Sequence, residues 1–132
     1  MIKKQYTLYL ENRPGALASV LRKLAKEDIN IEGISVSEST DVGLVQLVVS
    51  KAKKTRRILK DAKIAFTVQD VAVLKLANAP CVLCEGVARL AKMGINISYI
   101  YATACSAKKD CDCYAVVSAP DLEAVEQAWS ME

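Results

Sequence analysis

Histidine is absent from this chain of 132 residues. Without it there is no ordinary general base near neutral pH and no imidazole to hold a metal, so Ser-His-Asp, Cys-His and His-zinc chemistry are excluded. No pair of carboxylates stands beside a cysteine or Gly-rich nucleophile motif, and the usual phosphate and nucleotide signatures are missing. Neither an enzyme nor a bound cofactor is expected. No apolar run approaches the roughly 20 residues that a bilayer demands, so no membrane span is expected either. The opening MIKKQYTLYLENRPG alternates polar and apolar positions where a signal peptide would have an uninterrupted apolar core. A cytoplasmic location follows as the expectation. All five cysteines lie between Cys81 and Cys113, and an odd count in a chain without an export signal argues against a disulfide framework.

What is present is a repeat. Residues 74–100 laid over residues 8–34 match at twelve positions without a gap, among them Leu8/Leu74, Asn12/Asn78, Pro14/Pro80, Leu24/Leu90, Asn30/Asn96 and Ile31/Ile97. Self-similarity of this kind outranks any single-residue signal and divides the chain into two copies of one supersecondary unit, residues 1–70 and 71–132.

In the first copy Tyr6, Leu8 and Leu10 alternate with Thr7, Tyr9 and Glu11, the two-residue period of a half-buried strand. From Ala16 the period changes: Leu17, Val20, Leu21 and Leu24 recur at helical spacing, with Ser19, Arg22, Lys23 and Lys26 outward. INIEGISVSES and GLVQLVVS read as strands joined by a turn, a basic helix follows, and AFTVQDVAV closes the unit as a strand. The order β-α-β-β-α-β, with right-handed crossovers, has one common solution: a ferredoxin-like α/β sandwich with helices on one face of an antiparallel sheet. The second copy repeats it through a helix on Leu83, Val87 and Leu90, the strands INISYIYATA and CYAVVSA, and a helix on Leu122, Val125 and Trp129, but no residues remain for its last strand. The run 64–77 must end copy one and begin copy two. Its stretch 71–77 would then have an unpaired edge, which another strand, from the other repeat or an identical chain, is expected to cover.

The joint ENRPGALASVL marks a candidate site. Asn12 reads as the helix N-cap and Pro14 as a first-turn residue, while Gly15 keeps the approach to the following amides open. A helix start offers unsatisfied N–H groups and partial positive charge, which suits a small carboxylate; a plain tight β-α turn is the other reading. Asn30 and Asn96 stand where strands begin, at sites that favour β-branched apolar residues, and a polar amide there calls for a partner, either a turn or a ligand.

ENRPGALASVLRKLAKEDINI resembles the signature of ACT domains, the small βαββαβ ligand-sensing modules of amino-acid metabolism, and the resemblance extends over the chain as two tandem copies. It implies side-by-side association, a homodimer through ACT-like sheets, and a small effector, often an amino acid, bound between the loop after one first strand and a neighbouring domain. The ligand-contacting residues it implies are Asn12, Arg13, Pro14, Gly15, Ala16, Asn30 and Ile31, with Asn78 and Asn96 as their second-copy counterparts. In the serine-sensing domain of phosphoglycerate dehydrogenase a histidine stands where this chain has Leu10, which implies a less polar pocket here. Copy two departs further, with Ala79 for Arg13 and Cys81 for Gly15.

Two rival features remain. Cys81 and Cys84 form a CxxC at a helix start, where thiolates are favoured, and Cys105, Cys111 and Cys113 flank a hairpin expected at the same end of the sheet. The alternative function is accordingly a thiol-based metal or redox module, although idle packed thiols fit the same pattern. The segment SKAKKTRRILKDAK sets seven cations against Asp61 alone, a net +6 in a chain of +3. It reads as a solvated helix face with Ile58, Leu59 and Ala62 inward, and nucleic-acid binding is not expected.

Overall fold

The computed structural model describes residues 1–38, 42–77, 79–102 and 113–130. Six strands and four helices follow in the order β1 (Ile2–Glu11), α1 (Ala16–Lys26), β2 (Ile31–Glu38), β3 (Val42–Val49), α2 (Ala52–Asp61), β4 (Ala65–Leu76), α3 (Val82–Lys92), β5 (Tyr99–Ala102), β6 (Cys113–Ser118) and α4 (Leu122–Ser130). The chain divides into two compact units, Lys4–Gln69 and Met1–Lys3 with Asp70–Glu132, so the twelve-residue strand β4 contributes to both. No helix among the described residues is long and apolar enough to cross a membrane.

The unit Lys4–Gln69 has the expected β-α-β-β-α-β order, with strands arranged β2-β3-β1-β4. Both β1 and β2 pair antiparallel with β3, Tyr6 opposite Leu47, Leu8 opposite Val45, and Ile34 opposite Leu47 from the other side. Alternation turns Tyr6, Leu8, Leu10, Val45, Leu47 and Val49 onto one face, where Val20 and Leu24 of α1 and Leu59 of α2 complete a core. Leu8, Leu24, Leu47 and Leu59 are fully buried, each burial contributing about 1.5–3 kcal/mol. Thr55, buried on α2, satisfies its hydroxyl by donating to the Lys51 carbonyl at 2.9 Å. The Tyr6 hydroxyl donates to the Ala52 carbonyl at 2.7 Å, and burial pushes its ionisation above the ordinary tyrosine range. The basic residues of α2 lie outside this core. Lys54 reaches the end of α1, donating to the Glu27 carboxylate at 3.0 Å and to its carbonyl at 3.3 Å.

The second unit orders its strands β4-β6-β5. The edge of β4 is covered at Val73 from within the chain, where Met1 and Val73 exchange two backbone bonds, of 2.9 and 2.7 Å. Ala72 and Leu74 of β4 and Ala115 and Val117 of β6 form a core with Leu90 of α3 and Val125, Ala128 and Trp129 of α4. Gly86 is what admits the indole, since a Cβ there would land inside the Trp129 ring. Trp129 Nε1 donates to the Lys75 carbonyl at 3.1 Å, and Arg89 donates to the Ala128 and Trp129 carbonyls at 3.2 and 3.0 Å, closing the open end of α4. Two expectations are corrected here. Leu83 is 41% exposed instead of packing with Val87 and Leu90. In the described part of INISYIYATA the strand is Tyr99–Ala102, because residues 95–97 are spent leaving α3 and the first tie to β6 is Ser98 N–H to the Ser118 carbonyl, 2.8 Å.

Every helix joint with a positive φ follows one of two forms. α1 and α3 begin at a left-handed residue, Gly15 (φ 88) and Cys81 (φ 71). α1, α2 and α3 end on another, Asp28 (φ 57), Lys63 (φ 56) and Gly94 (φ 71). At each of these ends the next residue, Ile29, Ile64 or Ile95, donates to the carbonyl five residues back, Leu24, Leu59 or Leu90, at 3.0–3.1 Å. This is the six-to-one closure in which an apolar pair seals the helix end.

Four outcomes are expected. Gly86→Ala should cost about 2 kcal/mol or more by expelling the indole, read as a lower melting temperature with a red-shifted Trp129 emission. Cys81→Gly should stabilise the protein by about 1 kcal/mol, and Gly15→Ala should destabilise it similarly despite open space around the new methyl, both measured by chemical denaturation. The hydrogen bond and charge of Lys54 hold the Glu27 carboxyl below its ordinary value. Its contribution is therefore present at neutral pH and lost as pH falls through the lowered value, so Glu27→Gln should lower the melting temperature at pH 7 and lose that effect in acid.

Candidate functional site

The loop between β1 and α1 is built by three short-range bonds. Arg13 N–H donates to the Glu11 carbonyl at 2.9 Å, Arg13 Nε to the Glu11 carboxylate at 2.7 Å, and Ser19 N–H to the Gly15 carbonyl at 3.0 Å. Gly15, not Asn12, is the N-cap, and α1 begins at Ala16, so Pro14 precedes the helix instead of opening it. The sequence misleads because an Asn-x-Pro pattern mimics a cap, whereas the left-handed turn at Gly15 starts the helix three residues later. No side chain caps α1, and its first turn holds no acidic residue. Ala16 N–H makes a long 3.4 Å bond to the Arg13 carbonyl, while Leu17 and Ala18 N–H have no acceptor among the described residues. Nothing lies within 4 Å of the point where a Gly15 Cβ would stand. The helix start is open, positive and unclaimed.

Asn12, Arg13, Pro14 and Gly15 are exposed, and Ala16 is half-buried against the core. Asn30 is exposed directly before β2; its backbone exchanges bonds of 2.9 Å with Ser50, leaving the amide side chain outside. Ile31 packs on the core. The structure does not bring Asn12 and Asn30 together. Glu11 pairs with Val42 and Ile31 with Val49, at opposite ends of β3, which puts the two asparagines about 23 Å apart along the strand. No single small ligand spans that distance within one unit. Asn96 is exposed and lies three residues before β5, not at its start as expected; Asn78 falls outside the described residues.

Of the cysteines, Cys81 and Cys84 are exposed at the start of α3, and Cys113 is buried opposite Leu76. Cys105 and Cys111 lie outside the described residues. Among the described residues no group of three or more potential ligands could hold a metal.

Beside the loop, on the side of α1 toward α2, lies an open cavity of about 390 Å³. Arg13 and Ala16 border it, and with them Tyr9, Ser19, Lys23 and Lys63. Lys23 and Lys63 were not candidates from sequence, where both read as solvated surface. Only the spacing Ala16, Ser19, Val20, Lys23 along one helix face hints at a shared surface.

The chain matches the family model described as an ACT domain pair over residues 1–110. Among solved structures, a Bacteroides thetaiotaomicron protein superposes with a TM-score of 0.85 at 29% identity, covering 97% of this chain and 86% of that one. The ligand-free regulatory subunit of aspartate kinase from Thermus thermophilus gives 0.67 at 23% identity, covering 95% and 89%. Its counterpart from Thermus flavus gives 0.62 at 20%, covering 98% and 93%. No curated protein matches significantly. The repeated βαββαβ order, the ENRPG joint and the family match together place this chain in the ACT domain pair family.

Proposed function

We propose that this ACT pair is a non-enzymatic sensor of an amino acid, acting in the cytoplasm as a homodimer and regulating a partner in amino-acid metabolism. The observation that carries the reading is the open start of α1, where Gly15 turns left-handed and the Leu17 and Ala18 amides have no acceptor among the described residues. An effector carboxylate docks there, with Asn12 beside it, in the manner of anions at helix starts. Because Asn30 of the same unit is about 23 Å away, the Asn30 that completes the site belongs to a second copy. The edge strand β2 supports such pairing: Ile34 and Val36 stand on the core face of the sheet, opposite Leu47 and Val45, yet are 39% and 52% exposed.

A thiol module is the second reading, favoured by the joint exposure of Cys81 and Cys84 at a helix start. Metal analysis of protein purified without added metal separates the two, since a stoichiometric thiophilic metal belongs only to the thiol module.

Thermal-shift screening against the twenty amino acids should yield one hit, because a ligand of the folded form stabilises it by about 2.7 kcal/mol at a hundred times its dissociation constant. Asn12→Ala should abolish the shift. Val36→Asp should yield monomers by sedimentation and lose the shift as well; a full shift in either variant moves the effector elsewhere.

A further inference from the structure

The cavity between α1 and the α2–β4 turn carries chemistry that the effector reading does not use. Three cations border it, Arg13, Lys23 and Lys63, against one acid, Glu11. Glu11 is committed to Arg13 at 2.7 Å. Among the described residues Lys23 Nζ meets only the Ser19 hydroxyl, at 3.3 Å, and the Lys63 ammonium has no hydrogen-bond or ion-pair partner, its residue being bonded through the backbone N–H to the Lys60 carbonyl alone. Two positive charges therefore face a concave space uncompensated, the arrangement that concentrates anions.

The second unit uses the counterparts of three lining residues differently. Lys75, Gly86 and Arg89 stand 66 residues after Tyr9, Val20 and Lys23, and all three touch Trp129: the indole donates to the Lys75 carbonyl, lies against Gly86, and its own carbonyl accepts from Arg89. In the second unit an indole is anchored at these counterpart positions. In the first, Tyr9, Val20 and Lys23 border a cavity of about 390 Å³ instead. Lys63 adds a further point, because its φ of 56 is a conformation that glycine adopts without strain, as Gly94 does after α3. At this position the chain carries a long cation instead.

We propose that the cavity binds a small dianion, a phosphorylated or dicarboxylic metabolite, whose oxygens accept from Lys23, Lys63 and Arg13. The site lies in one unit and holds whether or not an amino acid docks at the start of α1. Isothermal titration with inorganic phosphate and with succinate, at ionic strength fixed by chloride, tests it on the wild type and on Lys63→Gly, Lys23→Gln and Asn12→Ala. At least one probe should bind once per chain. Phosphate alone marks a phosphorylated ligand, and succinate alone a dicarboxylate. Lys63→Gly and Lys23→Gln should each weaken binding about tenfold or more, the loss of one charge-assisted contact. Asn12→Ala should leave it unchanged. Lys63→Gly relaxes the backbone, so its melting temperature should not fall and misfolding cannot explain its loss of binding. Binding by both lysine variants at wild-type affinity overturns the proposal, as does the absence of heat from either probe throughout the millimolar range.

Discussion

The left-handed residue at the helix joints is the constraint on which the rest of the structure depends. Gly15 and Cys81 turn the chain into α1 and α3, and Asp28, Lys63 and Gly94 turn it out of α1, α2 and α3. Each exit redirects the backbone so that an isoleucine falls back onto the helix it has just left, with its amide bonded to the carbonyl of a fully buried leucine. A left-handed turn costs an ordinary residue about 1 kcal/mol, and a sealed helix end with its apolar pair offsets it. Only two of the five positions carry glycine. The direction of the chain after each helix decides which strand edge it reaches, and hence the register of every sheet pair.

On this frame the two units diverge in what fills them. The register of Leu10 with Gly43 and of Leu76 with Cys113 shows that the later parts of the copies correspond at an offset of 70, against 66 for the earlier parts. Leu59 of α2 then matches Trp129 of α4, and Val20 of α1 matches Gly86 of α3. A leucine facing a valine in one unit has become an indole facing a glycine in the other, a swap in which volume gained on one helix is surrendered by its neighbour. The helix starts diverge as well: α1 has no acidic residue in its first turn, whereas α3 has Glu85. Only the first retains an uncompensated positive end.

Alternation and helical spacing spelled out the first unit because its strands have one buried face and its helices one buried stripe. Tyr6, Leu8 and Leu10 turned inward as read, and so did Val20 and Leu24. The shared strand β4 was legible because residues 64–77 had to serve two copies. Hidden from the sequence were features decided by backbone sign or by distant packing. Asn12 looks like a cap because its side chain suits one, but the turn at Gly15 takes the role by geometry. Leu83 has helical spacing and still faces outward. Lys23 and Lys63 lie forty residues apart, and only the fold brings them to one cavity. The change of offset between the copies falls between their second and third strands, where identity fades, so the match of Leu59 with Trp129 needed the strand register to be seen.

Trp129 is the sole tryptophan of the chain, and it is sealed within one unit by Gly86, Arg89 and the Lys75 carbonyl. The first unit instead holds a tilted pair of rings, Tyr6 and Phe66, with centroids 5.7 Å apart. Excitation at the red edge of the protein absorption band thus illuminates one half of the molecule alone. Nature has left in place a spectroscopic label that can time the loosening of that half without any dye attached.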